Sequence, residues 1–312
     1  MELSLYDIRL KGDIMIYIWV IIGLILFAIL WSFLEHRRIV KSKYIICSNK
    51  LSKDIHGLSF VVLADLHNRS YSKNNKSLIR KILEQKPDFV IIAGDMVTKR
   101  KPCYPGMAYN LIKELSEHYP VYYAYGNHEQ YFEDLAYSKN EDEYKKHIAL
   151  YESWNIYKEK LKKLGVFLLD NKSIILQYNY SKITITGLSI SRDFYSKGST
   201  LSLEQDEIHG KIGSRSKESY QILIAHNPIY FSDYIKWGAD LILSGHMHGG
   251  LVRLPFVGGL ISPQVKLFPK YDAGQYIKND SHMLVSRGLG SHSFMPRFFN
   301  SPELMKITLM RE

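Results

Sequence analysis

Residues 60–67 read Phe-Val-Val-Leu-Ala-Asp-Leu-His, an apolar run that stops abruptly at an acid and a histidine. Such a run, with β-branched residues at its centre, reads as a strand buried on both faces, as in a parallel sheet. The same layout recurs along the chain. Phe-Val-Ile-Ile-Ala precedes Gly94-Asp95, and Val-Tyr-Tyr-Ala-Tyr precedes Gly126-Asn127-His128-Glu129. Gln-Ile-Leu-Ile-Ala precedes His226, and Leu-Ile-Leu-Ser precedes Gly245-His246-Met247-His248. In an open α/β sheet, residues just past the carboxyl ends of the strands converge on one crevice. A lone Asp-x-His or Gly-Asp is an ordinary turn. His-x-His says more, because an extended backbone sends both rings the same way. Two Asp, one Asn and four His gathered there look like a metal site, with a fifth His left over for acid chemistry. The seven remaining histidines (36, 56, 118, 147, 209, 282 and 292) read as ordinary surface or core residues.

Between these strands the pattern is helical over 73–86, ended by Pro87, and again near 107–118, ended before Pro120. Alternating strands and helices predict parallel crossovers. Within 133–165, Tyr151, Trp154, Tyr157, Leu161 and Leu164 recur at helical spacing. That stripe reads as core packing, with a membrane-facing or substrate-covering face as the alternative. From Val166 onward short strands dominate: 166–169, 173–178, 182–188, 221–225, 241–244, 282–286 and 305–309. Residues 191–218 read as a loop around one short helix. Two strand groups, the first parallel and the second mixed, suggest two sheets packed face to face with helices outside.

The ordered set D-x-H, G-D, G-N-H-E, H and G-H-x-H resembles the signature of the calcineurin-like metallophosphoesterases, from about Leu58 to the end of the chain. Gly249 to Pro255, Ser286 to Gly290, Arg297 and Pro302-Glu303-Leu304 look like the bacterial membrane-associated subgroup. The resemblance implies an αββα sandwich of two mixed β-sheets flanked by helices. It implies a first metal on Asp65, His67, Asp95 and His248, and a second on Asp95, Asn127, His226 and His246, bridged by Asp95. It also implies that His128 is not a ligand but faces the leaving group as a catalytic group, with Glu129 behind it, orienting it. Two divalent cations about 3.5–4 Å apart ionise a water, bind phosphoryl oxygens and stabilise in-line displacement. The nitrogen and oxygen donors, with no thiolate at hand, suit Mn²⁺, or else Fe or Zn²⁺, rather than Ca²⁺.

The chain has 312 residues and a net charge of +10. That charge suits an anionic membrane surface, an anionic substrate or nucleic acid. Nucleic acid is the least supported, because the lysines are spread along the chain. Cys47 and Cys103 form neither a disulfide framework nor a zinc motif. Residues 14–34 carry no charge; at about 1.5 Å per residue they span about 31 Å, close to a hydrocarbon core of about 30 Å. Trp19 and Trp31 sit toward the two ends, and no A-x-A-like cleavage site follows. The layout is therefore a tail (1–13), a single-pass transmembrane anchor (14–34), a basic juxtamembrane linker with a first strand (35–57) and a phosphoesterase domain (58–312). Arg37, Arg38, Lys41 and Lys43 after the span outnumber Arg9 and Lys11 before it, which predicts a cytoplasmic catalytic domain on the cell membrane.

For the substrate, Arg253, Arg287 and Arg297 are candidate phosphate contacts. The loop 254–261, with Phe256, and the cluster Phe294-Met295-Pro296 with Phe298-Phe299 are either packed or form an apolar wall for an acyl or isoprenoid chain. The anchor favours a phosphorylated lipid or lipid-linked substrate. A soluble nucleotide or nucleic-acid phosphodiester is the alternative enzyme reading, and a membrane scaffold with a vestigial metal site the non-enzymatic one. No protein partner is indicated.

Overall fold

A computed structural model describes residues 5–99, 101–136, 141–196, 198–250, 252–254, 256–262, 266–291 and 296–312, without the side chains of 5–12 and 141–146. Helix α1 (Leu5–Arg37) leads into β1 (Val40–Cys47) and β2 (Ser59–Leu63). Crossovers follow through α2 (Lys76–Leu83), β3 (Phe89–Ala93), α3 (Met107–Ser116) and β4 (Val121–Ala124). Next come α4 (Asn127–Leu135), α5 (Glu141–Lys163), β5 (Phe167–Leu168), β6 (Lys172–Tyr178) and β7 (Ser181–Leu188). The remainder holds α6 (Gln205–Ile212), β8 (Tyr220–Ala225), α7 (Phe231–Trp237), β9 (Leu241–Ser244), a small hairpin β10 (Arg253–Leu254) and β11 (Gly258–Gly259), then β12 (Gly274–Lys278), β13 (Ser281–Val285) and β14 (Glu303–Met310).

Two six-stranded mixed sheets result, ordered β1-β14-β2-β3-β4-β5 and β12-β13-β9-β8-β7-β6. Strand periodicity explains how they stack. In β2, Phe60 and Val62 point into the layer between the sheets, while Val61 and Leu63 face the helices. In β3, Ile91 and Ala93 face the other sheet, and Val90 and Ile92 the helices. The second sheet sends Ile222, Ile224 and Leu243 inward, and Leu223, Ala225 and Ile242 outward onto α6 and α7. Each inner strand thus buries both faces, which is why these runs have no polar alternation.

The strand grouping predicts a parallel first sheet, but the sheet is mixed. The C-terminal β14 crosses over and inserts between β1 and β2, antiparallel to β2 and parallel to β1. β5 extends the first sheet, parallel to β4. Trp154, Tyr157 and Leu161 of α5 are fully buried, so the aromatic stripe is core packing. Trp154 stacks on Phe132 of α4 at 5.5 Å between ring centroids.

α1 is long and apolar enough to cross a membrane by length and composition. Its apolar side chains are exposed, Trp19 at 65% and Leu24 at 63%. Its far end is not free. Ser32 Oγ accepts the Arg297 backbone N–H at 3.0 Å, and Ser301 donates to Glu35 at 2.7 Å. Trp31 meets Phe299 edge-on at 5.2 Å.

Candidate metal centre

The five polar fragments meet past the ends of β2, β3, β4, β8 and β9. Their backbone is unusual. Asp65, His67, Asp95, His246 and His248 all have positive φ, between 49° and 67°. Left-handed backbone is costly for residues other than glycine, and such strain clusters at functional sites. Glycines beside them permit the close approach: a Cβ on Gly245 would lie 2.6 Å from Asp65 Oδ2, and one on Gly94, itself at φ +87°, would lie 2.6 Å from the Gly126 nitrogen.

Among the described residues, three buried groups have donor atoms close enough to hold an ion: Asp65 with His67 and His248, Asp65 with Asp95 and His226, and Asp95 with His67 and His128. The hydrogen bonds on the far side of each ring assign its tautomer. His226 Nδ1 lies 2.7 Å from the Ala93 carbonyl, His248 Nδ1 3.1 Å from that of Gly290, and His67 Nδ1 3.3 Å from that of Val97. A carbonyl can only accept, so each Nδ1 carries a hydrogen, and in the neutral ring each Nε2 turns a lone pair inward, the arrangement of metal-ligating histidines. His67 Nε2 and His248 Nε2 face each other at 3.4 Å. Asp65 Oδ1 lies 3.5 Å from His248 Nε2, and Asp95 Oδ2 lies 3.8 Å from His67 Nε2. Acceptors facing acceptors repel unless a cation sits among them.

His128 is wired the opposite way. The Lys99 backbone N–H donates to His128 Nδ1 at 3.1 Å. The neutral ring therefore carries its proton on Nε2, which lies 3.9 Å from Asp95 Oδ2 at the edge of the cluster. With all four rings neutral, His128 is the one whose inward nitrogen is a donor.

The residues fit divalent ions. Asn127 Oδ1 is buried with no hydrogen-bond partner among the described residues, a costly state that a cation relieves. Without metal, burial opposes charging His226, but the Asp95 and Asp65 carboxylates outweigh it and raise the ring to about 10. Asp65 is pushed up to about 7 by burial, against the pull of His226. Burial also opposes ionising Asp95, yet His226 and His128 hold it well below the ordinary carboxylate range. One carboxylate that stays charged amid several rings is what a shared ligand requires.

Glu129 departs from its predicted role. It does not orient His128. Its Oε1 accepts the Met96 and Val97 N–H groups at 2.9 and 3.3 Å and the Tyr123 hydroxyl at 2.7 Å. Its Oε2 accepts the Asp95 and Gly126 N–H groups at 2.8 and 2.9 Å. The side chain is the hub that shapes the Asp95 turn. Burial and the Asp95 charge raise its pKa, but all five partners are donors, which favours the carboxylate form. The bond to Gly126 also starts α4, so Asn127 is the first residue of a helix rather than part of a free turn.

The predicted substrate contacts are likewise used elsewhere. Arg297 is buried, and its guanidinium donates to the carbonyls of Asn300 at 2.9 Å, Arg287 at 3.1 Å and Gly290 at 2.9 Å, a backbone tie in place of a phosphate contact. Arg253 donates to Asp272 at 2.6 Å and pins the hairpin. Arg287 pairs with Glu303 at 3.5 Å. Phe256 does not wall the centre; it projects fully exposed from the β10–β11 turn. Phe294, Met295 and His292 lie outside the described residues. Two residues near the centre escaped the sequence. The Tyr195 ring packs 5.0 Å from that of His246, and Asn300 donates to the His248 carbonyl at 2.7 Å. Neither stands in a motif or a periodic run.

A sandwich with this cluster of carboxylates, Asn and opposed imidazoles at its strand ends defines a metal-dependent phosphoester hydrolase. Residues 58–250 match the calcineurin-like phosphoesterase family, and the chain belongs to it. It is 26% identical over 89% of its length to YkuE, an uncharacterized metallophosphoesterase of Bacillus subtilis, covering 87% of that protein. It is 25% identical to the phosphodiesterase YaeI of Escherichia coli, over 73% of this chain and 74% of that one. It is 22% identical to LpxG, the UDP-2,3-diacylglucosamine pyrophosphatase of Chlamydia muridarum, over 80% of this chain and 83% of that one.

Proposed function

We propose that this protein is a membrane-anchored, two-metal phosphoesterase that hydrolyses a phosphoester or pyrophosphate bond of a lipid or lipid-linked substrate. Asp65, His67, Asp95 and His248 would hold one ion, and Asp95, Asn127, His226 and His246 the other, with Mn²⁺ the metal their donors suit best. Bound divalent ions supply Lewis acidity and lower the pKa of water in such centres. The chain's own part is positioning and proton delivery. Glu129 shapes the turn that presents Asp95. The carbonyls of Val97, Ala93 and Gly290 hold three rings in the ligand tautomer. His128, with its proton on Nε2, is placed to donate to the leaving oxygen, and the Lys99 N–H keeps that proton on the inward nitrogen.

The observation that carries the membrane reading is the path from α1 to the metal ligands. Ser32 bonds Arg297, Arg297 bonds the Gly290 carbonyl, and that carbonyl also takes the His248 ring N–H. A cleaved leader would abandon these contacts, whereas an anchor keeps the centre close to the bilayer. Exposed Leu254, Phe256, Val257, Leu267 and Phe268, shortly after His248, add apolar surface suited to a lipid interface. The likeness to a diacylglucosamine pyrophosphatase supports the same substrate class. The test is turnover by Mn²⁺-loaded full-length protein on lipid phosphates in mixed micelles beside soluble nucleotides. Detergent-dependent lipid turnover is expected; preference for nucleotides with no dependence on micelles would overturn the lipid assignment.

A further inference from the structure

A cavity of about 810 Å³ lies where α1 meets the catalytic domain, outside the metal cluster. One part of its wall comes from the apolar helix, through Ala28, Ile29 and Phe33. The other is cationic and polar, with Arg37, Arg69 and Tyr71. Its size falls within the roughly 300–1,000 Å³ of small-molecule pockets.

The arginines are short of counter-ions. Among the described residues no carboxylate lies within ion-pair distance of Arg37 or Arg69. Arg69 spends one guanidinium N–H on the His36 carbonyl at 3.1 Å, but its Nε is buried with no hydrogen-bond partner among the described residues. A half-buried guanidinium with an unmet donor calls for an anion. The helical wall one to three turns away calls for hydrocarbon. Ala28 and Ile29 belong to the apolar run, and Arg37 closes the same helix. The cavity therefore runs from bilayer depth to headgroup level.

We propose that this cavity binds a phosphorylated membrane lipid, its phosphate on Arg69 and Arg37 and an acyl chain along Ala28, Ile29 and Phe33. The proposal rests on α1 spanning the bilayer. It places lipid beside the metal centre: Arg69 is two residues from His67, and Ser291 of the cavity wall follows Gly290. It differs from a diffuse attraction of the basic linker to anionic headgroups, because Arg37 lines the cavity and the neighbouring Arg38 does not.

The test is native mass spectrometry of full-length protein extracted from vesicles of phosphatidylcholine with phosphatidic acid, counting retained phosphatidic acid. Wild type and Arg38→Gln should retain it equally. Arg69→Gln should weaken retention about fivefold, the effect of one basic residue near a membrane surface. Ile29→Trp, which fills the apolar end and leaves every charge in place, should displace the lipid. Carbonate extraction of each variant reports separately on the anchor. Variants that stay in the membrane yet retain phosphatidic acid like wild type would sink the site, as would an equal loss in Arg38→Gln. If wild type itself washes off, the membrane reading fails first.

Discussion

Replacing Glu129 by Gln changes one oxygen into an NH₂ and leaves the volume almost unchanged. Every partner of this carboxylate is a donor: four backbone N–H groups and the Tyr123 hydroxyl. Whichever way the amide turns, two of the backbone N–H groups meet another donor, whereas the Tyr123 hydroxyl can turn to accept. A buried group left unsatisfied costs about 1–3 kcal/mol, so the loss should be about 2–6 kcal/mol, a large part of the 5–15 kcal/mol typical of a folded domain. The damage should centre on residues 94–97, whose backbone carries Asp95 toward the rings. Removal of groups that support metal ligands typically costs 10–100-fold in metal affinity or activity. Glu129→Gln is therefore expected to lower the unfolding temperature and to bind Mn²⁺ at least about tenfold more weakly. Thermal unfolding of the chelated protein and Mn²⁺ titration of the folded protein measure the two effects. Wild-type values in both would refute the assignment of Glu129 as the hub of the Asp95 turn. Wild-type metal affinity with a changed pH–rate profile would return it to His128.

His128→Ala should retain metal while kcat falls by roughly 10²–10⁴, whereas Asp95→Asn should lose metal and activity together; elemental analysis beside kinetics separates them, and metal loss in the His128 variant would overturn its role as proton donor. The His226 ring has a folded-state pKa raised to about 10 in the metal-free protein, so the stability it contributes is full below its ordinary value and is lost as pH rises through about 10. Chelated protein should thus melt at lower temperature as pH rises from 7 to 10, while metal binding, which needs unprotonated rings, strengthens as pH rises from acid toward neutrality; calorimetry with and without chelator would contradict this if the chelated protein gained stability over that range. A 35–312 fragment should leave the membrane fraction that full-length protein occupies under carbonate wash, and recovery of full-length protein in the wash would rule out the anchor. If α1 spans the membrane, the basic residues after it predict a cytoplasmic catalytic domain; protease digestion of that domain in intact cells would reverse the orientation.

The sequence by itself determined the strand-end fragments, the residue types gathered there and the apolar N-terminal helix. Each is a local signal: a buried strand is a short apolar run, a span is a long one, and the next residue after a strand must lie at its carboxyl end. It also placed Asp65, His67, Asp95, Asn127, His226, His246 and His248 at those ends, which follows from strand register alone. Only the tertiary structure decided what lies between distant segments. β14 slots between β1 and β2 because its Met305, Ile307 and Leu309 complete the layer between the sheets, a fit that strand order does not encode. The backbone N–H of His246 bonds Asp65 across 181 residues, and the difference between His128 and the other rings rests on the backbone groups of Lys99, Val97, Ala93 and Gly290. Arginines 253, 287 and 297 look alike in sequence, and only their neighbours tie them to a carboxylate or to backbone carbonyls. Side-chain type is written locally, whereas a hydrogen-bond partner is chosen by whatever the fold brings within about 3 Å.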